Sequence, residues 1–115
     1  MKQYSLKRYQ RLRKEKEFEA VFRSGQTWEK KGFFKARYRK NDLSFSRIGI
    51  SVSKRAGNSV FRNALKRVVR DWFRMHKKEF SCSFDVVFVF SSCISGYSPE
   101  SIRQSLDQFL REHQQ

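Results

Sequence analysis

The segment from Val60 to Met75 separates its apolar and basic side chains as an amphipathic helix does. At ~100° per residue, the two kinds of side chain fall on opposite halves of a helical wheel. Such a helix requires other elements to cover its apolar half, so the chain must fold around a packed core. The apolar half contains Val60, Phe61, Ala64, Leu65, Val68, Trp72 and Met75. The other half contains Arg62, Asn63, Lys66, Arg67, Arg70 and Arg74.

The basic half of this helix has the composition of a nucleic-acid contact. An ordinary helix exterior mixes charges, and opposite pairs contribute ~0.2–0.5 kcal/mol each, whereas the basic arc contains no acid. Arginine binds phosphate through two parallel donors, and Asn63 adds a neutral donor and acceptor. Lys54 and Arg55 precede the helix, where free backbone N–H groups favour an anion. We therefore expect these residues to contact RNA or DNA.

The overall charge supports a polyanionic partner. The 115 residues include 26 Lys and Arg but 11 Asp and Glu, a net charge of +15. The excess lies in residues 1–80, since residues 81–115 hold two basic and four acidic side chains. A membrane is not expected as the partner, because the longest apolar run, Val86 to Phe90, is far shorter than the ~20 residues of a spanning helix. Met1 to Lys16 lacks the apolar region of a signal peptide, so we expect a cytoplasmic protein.

The chain has no internal repeat, no low-complexity linker and one proline, which predicts a single domain over residues 1–115. Residues 1–14, which include Arg11 and Arg13, are expected to form a flexible basic arm. A short helix is predicted over Glu15 to Ser24, with Phe18, Val21 and Phe22 at helical spacing. Gly25 follows where a C′ glycine is favoured.

Alternation predicts the strands. Phe34, Ala36 and Tyr38 share one face of a strand over Phe33 to Arg39, and Lys35, Arg37 and Arg39 share the other. Ile48, Ile50 and Val52 alternate with small and polar residues, including Ser51 and Ser53, and predict a second strand that pairs back as a hairpin. Phe84 to Phe90 is expected to be buried on both faces. Ser98-Pro99-Glu100 opens a last helix with Ile102, Leu106, Phe109 and Leu110 on its apolar face. The class is α+β.

The order and spacing of these features resemble those of one family. Arg62-Asn63-x-x-Lys66-Arg67-x-x-Arg70, preceded by the Val-Ser-Lys-basic-x-Gly stretch from Val52 to Gly57, looks like the RNR signature of bacterial ribonuclease P proteins. The likeness extends over almost the whole chain: a basic arm, the Phe18-x-x-x-Phe22 helix, two strands, the Phe84 to Phe90 strand and a C-terminal helix.

The resemblance implies a fold and a function. The fold is a four-stranded mixed, mostly antiparallel sheet packed with three helices, with a left-handed βαβ crossover, of the ribosomal protein S5 domain 2-like type. Ordinary handedness rules predict a right-handed crossover. The function is that of the RNA-binding subunit of an endoribonuclease that removes the 5′ leader from precursor tRNA. The implied contacts with the catalytic RNA are Lys54, Arg55, Arg62, Asn63, Lys66, Arg67, Arg70 and Arg74.

The resemblance also implies a groove for the single-stranded leader, between the first helix and the sheet. Phe18 and Phe22 would line it, with Ser51, Ser53 and Tyr38 beside them. Periodicity alone favours Phe18 and Phe22 as core residues, so both roles stay open here. Two positions depart from the family. Ala64 stands where a basic residue is common in the family, which predicts slightly weaker RNA attraction. Ala36 is the nearest match to an aromatic residue of the family's groove, so whether Tyr38 or Phe34 lines the groove instead stays open.

The acidic residues are scattered, with no paired-carboxylate or metal-ligand spacing. Cys82 and Cys93 form no CxxC pair, which argues against a zinc or redox site. We expect the protein to hold no cofactor and no catalytic residue, and the RNA subunit to bind most of the magnesium. Three other classes fit the composition: a ribosomal protein, a metal-dependent nuclease, which the missing carboxylate cluster disfavours, and a nucleoid DNA-binding protein.

Overall fold

The computed structural model describes residues 11–12, 14–80, 82–94 and 96–113. Three α-helices and four β-strands lie within these ranges, and a short 3₁₀ turn follows the third strand and another the second helix. The helices are α1 (Glu15–Ser24), α2 (Ser59–His76) and α3 (Pro99–Arg111). The strands are β1 (Gln26–Lys30), β2 (Phe34–Lys40), β3 (Arg47–Val52) and β4 (Phe84–Phe90).

Helix α1 has the predicted bounds, but Gly25 has a different role from the one expected. The backbone of Gly25 is extended, with φ −89° and ψ 170°, so it is not a left-handed C′ residue. A Cβ at this position would lie 2.3 Å from the carbonyl oxygen of Val21 and 2.9 Å from that of Tyr38. Glycine is therefore required because the end of α1 lies directly against β2.

The sheet has the strand order β1-β2-β4-β3. The pairs β1–β2 and β2–β4 are antiparallel, and β3–β4 is parallel. The predicted α+β architecture, with a mixed, mostly antiparallel sheet and three helices, is confirmed. The predicted hairpin between β2 and β3 is wrong, because β4 lies between them and β2 forms its hairpin with β1. The left hand expected for the β3-α2-β4 crossover stays a prediction.

Helices cover the sheet on both faces. The main core lies between one face and helices α2 and α3, where Phe34, Val86, Phe88 and Phe109 are almost fully buried. A smaller core lies under α1 on the other face. It is formed by Leu12, Val21 and Val87, with Phe18 and Val89 packed against them. Because β4 contributes to both cores, its near-complete burial agrees with the sequence prediction.

Helix α2 buries a narrower face than its pattern predicts. Leu65, Val69, Trp72 and Phe73 are buried. Ala64 is exposed, and Val60 and Met75 retain 77% and 48% of their accessible surface, so the assignment of these three to the covered half is wrong. The reason is that the sheet and α3 contact only the part of the helix centred near Val69.

Helix α3 matches its prediction. The Ser98 hydroxyl accepts from the backbone N–H of Ser101 at 3.2 Å, and Pro99 occupies the first turn. Ile102, Leu106, Phe109 and Leu110 are buried as predicted. In the described part of the chain, no helix combines the length and apolar character needed to cross a bilayer.

Candidate nucleic-acid interface

The outer side of α2 presents a basic surface, which we call the α2 face; it contains Arg62, Asn63, Lys66, Arg67, Arg70 and Arg74. Lys66, Arg67 and Arg70 form no ion pair with any described residue. Asp71, from the adjoining arc, lies 3.4 Å from Arg74, so one acid does reach the edge of the face. The other cations of the α2 face are left to attract an external anion.

The turn before α2 adds two exposed cations to this surface. Lys54 and Arg55 lie in the short 3₁₀ turn Lys54–Ala56. The Ser53 hydroxyl accepts from the backbone N–H of Arg55 at 3.2 Å, and the Asn58 side chain accepts from that of Phe61 at 2.8 Å. These two caps fix the turn and the start of α2. The hydroxyl of Ser53, predicted to bind the leader, is thus engaged in this turn.

The beginning of the described chain lies beside β3, at the edge of the sheet. Arg11 forms a parallel bridge with Ile48, and the backbone N–H of Leu12 donates to the carbonyl of Ile48 at 2.7 Å. Leu12 is buried, so residues 11–12 are docked rather than part of a free arm. Lys14, the last residue of the predicted arm, is the N-cap of α1, and the arm's other residues, 1–10 and Arg13, lie outside the described residues.

A cleft, here called the α1 cleft, lies where α1 crosses the second face of the sheet. Phe18 and Phe22 stand one helical turn apart on its helical side. The ring of Phe18 lies over β3, where a Cβ on Gly49 would be only 2.6 Å from it. Lys35, Val89 and Ser51 are register partners on β2, β4 and β3 and continue the same face of the sheet.

The two aromatic residues of the cleft differ in burial. Phe18 is half-buried and packs against the smaller core, whereas Phe22 is 42% exposed. Phe22 is therefore not a core residue. Ser51 and Lys35 are also exposed, so the cleft combines an aromatic side, a hydroxyl and a cation.

A recess at the edge of β3 joins the α1 cleft to the α2 face. Its volume is about 200 Å³. Phe18 lines it from the cleft, and Lys66 and Arg70 line it from α2. Arg11, Leu12, Ile48, Gly49 and Ile50 complete the lining. The apolar floor and basic rim suit a nucleotide, whose base is flat and apolar on its faces and whose phosphate is anionic.

Tyr38 does not belong to the α1 cleft. It packs on the opposite face of the sheet, with its ring 5.8 Å from that of Phe84, 5.7 Å from Phe109 and 4.6 Å from His113. Phe34 and Ala36 lie on that same buried face. The prediction that one of these residues serves the groove is wrong, because α1 covers the cationic row of β2 rather than its apolar row.

The cationic row of β2 was the signal that sequence reasoning left unused. Lys35, Arg37 and Arg39 alternate with the core residues and face α1. The Nη1 atom of Arg39 donates to the hydroxyl of Ser24 at 3.3 Å. Lys35 and Arg37 thus lie on the face of β2 that carries α1, a position that the aromatic motif alone could not reveal.

An ion-pair network fixes the start of α1 on the sheet. Arg47 donates to both carboxylate oxygens of the fully buried Asp85, at 2.9 and 2.7 Å, and to Glu17 of α1 at 3.0 Å. Asn41 adds a hydrogen bond to Asp85 at 2.8 Å. The hydrogen bond to Asp85 raises the pKa of Arg47, despite partial burial, which acts in the opposite direction. Arg47 is therefore fully charged at neutral pH and positions α1.

The acidic residues mostly serve such structural contacts. Asp107 and Glu112 accept from the indole N–H groups of Trp72 and Trp28, each at 2.8 Å. Glu100 pairs with Arg103 on the surface of α3. Among the described residues, no group of three or more His, Cys, Asp or Glu side chains is arranged to hold a metal ion.

Comparison with known proteins gives one consistent result. The family model described as Ribonuclease P matches residues 6–114. The ribonuclease P protein component of Syntrophus aciditrophicus is 32% identical over 115 residues, covering 100% of this chain and 96% of the relative. That of Desulfotalea psychrophila is 36% identical over 106 residues, covering 92% of this chain and 88% of the relative.

Solved structures agree with the sequence relatives. The chain resembles the RNase P protein from Thermotoga maritima with a TM-score of 0.79 and 30% identity, covering 91% of this chain and 98% of that one. It resembles the Staphylococcus aureus RNase P protein with a TM-score of 0.81 and 28% identity, covering 90% and 94% of the two chains.

Proposed function

Because the chain belongs to the ribonuclease P protein family, it is the RNA-binding subunit of a tRNA-maturing endoribonuclease, and we propose that its two RNA contacts lie on adjoining surfaces. The α2 face docks on the catalytic RNA, and the α1 cleft receives the 5′ leader of precursor tRNA. The observation that supports this proposal is the recess, which Phe18 of the cleft lines together with Lys66 and Arg70 of α2. It makes the two surfaces continuous.

Contact with the catalytic RNA is carried mainly by cations that form no ion pair with another described residue. Lys66, Arg67 and Arg70 give up no ion pair with a described residue when they bind phosphate, so the released counterions drive binding. Lys54 and Arg55 extend the contact beyond the start of α2, and Arg62, Asn63 and Arg74 complete it. Arg62 is partly held by the protein, since its Nε donates to the carbonyl of Gly57 at 3.2 Å.

Binding of the leader requires tolerance of different sequences, since leaders vary. An exposed ring such as Phe22 stacks on any base, at ~1–3 kcal/mol per base. Lys35 lies on the floor of the α1 cleft as a cation for the backbone, and Ser51 offers a hydroxyl there. Phe18, at the recess, places a second ring one helical turn away.

The reaction is hydrolysis of a phosphodiester, which leaves a 5′-phosphate on the tRNA and a 3′-hydroxyl on the leader. We assign the catalytic magnesium to the RNA subunit, since the described acidic side chains are scattered and no three or more of the described His, Cys, Asp and Glu side chains are grouped to hold a metal ion. This chain supplies affinity and electrostatic support. We place the enzyme in the cytoplasm, where precursor tRNA is made.

Reconstitution tests this function. Purified protein alone should leave precursor tRNA intact, and addition of a bacterial catalytic RNA at low magnesium should give cleavage at the start of the mature tRNA. Catalytic RNA without protein is the control, and it should cleave poorly at that magnesium concentration. Cleavage by RNA-free protein that survives further purification would show a protein-based nuclease instead.

A further inference from the structure

Arg37 links strand β2 to the C-terminal turn of α1. One terminal nitrogen of its guanidinium donates to the backbone carbonyl of Phe22, and the other donates to Oγ1 of Thr27 at 2.5 Å. The guanidinium carbon lies 6.0 Å from the centre of the Phe22 ring, within the range of a cation–aromatic contact. One side chain therefore holds both the backbone and the ring of Phe22.

Phe22 is more exposed than its neighbour in the helix, and the described contacts of its ring include the Arg37 guanidinium. Its neighbour Val21 is fully buried, whereas Phe22 is 42% exposed. Helix α1 ends at Ser24, and the carbonyls of a last helical turn lack partners within the helix. A cation at that position satisfies a carbonyl and interacts favourably with the helix dipole. Arg37 thus contacts the last turn of α1 at both the backbone and the ring of Phe22.

We infer that Arg37 is a positioning residue for leader binding, which it promotes by presenting the ring of Phe22 to the leader in one orientation. This inference rests on the proposed function of the α1 cleft. A ring that is already ordered loses less conformational entropy when a base stacks on it. The Nε atoms of Arg37 and Arg39 are both buried without a hydrogen-bond partner among the described residues, so the two arginines share this unfavourable feature and differ in their contacts with Phe22.

Arg39 provides a matched control on the same strand face. It also reaches the end of α1, through Ser24, but it does not touch Phe22. Arg37→Met and Arg39→Met remove the same charge and keep a similar apolar stem. The measured quantity is the leader preference, the ratio of holoenzyme affinities for precursor tRNA with a long leader and for mature tRNA. Arg37→Met should lower it ~3–10-fold, a part of what one stacked base contributes, and Arg39→Met should leave it unchanged.

A double-mutant cycle with Phe22→Ala separates positioning from direct contact. If Arg37 acts through Phe22, Arg37→Met should cause no further loss in the Phe22→Ala background. Arg37→Lys keeps the charge but not the planar fork, so it should resemble Arg37→Met. Additive losses, or a wild-type preference in Arg37→Lys, would mean that Arg37 contacts the leader as a charge and would overturn the inference.

Two further measurements distinguish the positioning role of Arg37 from a general loss of stability and from a failure of the proposed cleft function. Fluorine NMR of fluorophenylalanine-labelled protein, with the Phe22 resonance assigned by its loss in Phe22→Leu, should show that resonance shifted in Arg37→Met and unshifted in Arg39→Met. An unshifted resonance in both would overturn the inference even where melting temperatures fall. If Phe22→Ala itself leaves the leader preference unchanged, the proposed cleft function fails. If Phe22→Ala lowers it and Arg37→Met does not, only the positioning role fails.

Discussion

At the scale of single residues, Arg47 shows how one side chain stabilises the fold and orders the cleft. It compensates the buried charge of Asp85 and ties Glu17, and hence the start of α1, to the sheet. Removing one partner of a buried ion pair lowers the free energy of unfolding by more than the intact pair adds to it, because an uncompensated charge is left in the interior. The position of Phe18, one residue beyond Glu17, therefore depends on Arg47.

We expect Arg47→Ala to lower the free energy of unfolding by ~3–5 kcal/mol, because Asp85 would keep a buried charge without its cation. The matched control is Arg103→Ala, which breaks the exposed pair with Glu100, 3.7 Å apart. That change should cost less than ~1 kcal/mol. Urea unfolding of both variants measures the difference. Equal losses would show that burial does not determine the strength of the Arg47–Asp85 contact.

The two aromatic residues of the cleft should respond differently to truncation. Phe18→Ala should destabilise the fold by ~1–3 kcal/mol, because the ring packs on Gly49 and the smaller core but is only half-buried. Phe22→Ala should change stability by less than ~1 kcal/mol, since its side chain is 42% exposed and belongs to neither core. Thermal unfolding, beside binding to precursor and mature tRNA, measures both effects.

Mature tRNA is the control for this pair, because it has no leader and its affinity should not change. Phe22→Ala should weaken binding of precursor tRNA by ~1–3 kcal/mol, the contribution of one stacked base. A large stability loss in Phe22→Ala, or equal weakening toward both tRNAs, would place Phe22 outside leader recognition.

At the scale of elements, the sequence predicted most accurately the helices and strands whose hydrophobic pattern does not depend on distant parts of the chain. Helices α1 and α3 carry their own periodicity, and α3 also its own cap, and β4 is so apolar that burial on both faces follows. Strand β1 was missed, because Trp28 is its only strongly apolar residue and an edge strand needs no regular alternation. The false hairpin arose because pairing between strands depends on the whole sheet rather than on neighbouring sequence.

The candidate site was predictable to a similar extent. The position of the α2 cations on the outer side of the helix could be predicted because a helix exterior follows from the sequence period alone, and their contact with RNA stays a prediction. The choice of Tyr38 failed because alternation separates two faces without saying which one α1 covers. The same limit hid Lys35 and Arg37, whose role depends on the position of a distant helix.

Helix α2 can be tested as a unit through the salt dependence of RNA binding. Arg67→Glu combined with Arg70→Glu should weaken binding to the catalytic RNA and reduce the slope of log affinity against log salt by ~1.4–1.8, since each lost phosphate contact removes ~0.7–0.9. Arg103→Glu combined with Arg111→Glu makes the same charge change on α3 and should leave the slope nearly unchanged. Equal effects of the two pairs would mean that only net charge matters.

At the scale of the whole molecule, the net charge of +15 lowers the stability of the folded protein until RNA binds. Like charges on a compact chain repel one another, so the folded state is less stable than its cores alone would make it. Both added salt and a bound polyanion relieve this repulsion, but only the polyanion binds specific groups of the folded protein. At constant ionic strength the screening of charge is the same in both salts, so any additional stabilisation by the polyanion comes from its binding to the folded protein.

We expect tripolyphosphate to raise the melting temperature more than sodium chloride does at the same ionic strength, because it binds the α2 face of the folded chain. A ligand that binds only the folded state stabilises it by ~2.7 kcal/mol at a concentration one hundred times its Kd. Calorimetry across a series of both salts measures this excess. In the Arg67→Glu, Arg70→Glu variant the excess should shrink, whereas the Arg103→Glu, Arg111→Glu control should retain it. Identical melting temperatures in the two salts would mean that tripolyphosphate stabilises the fold only by screening charge. The α2 face would then have no preference for phosphate.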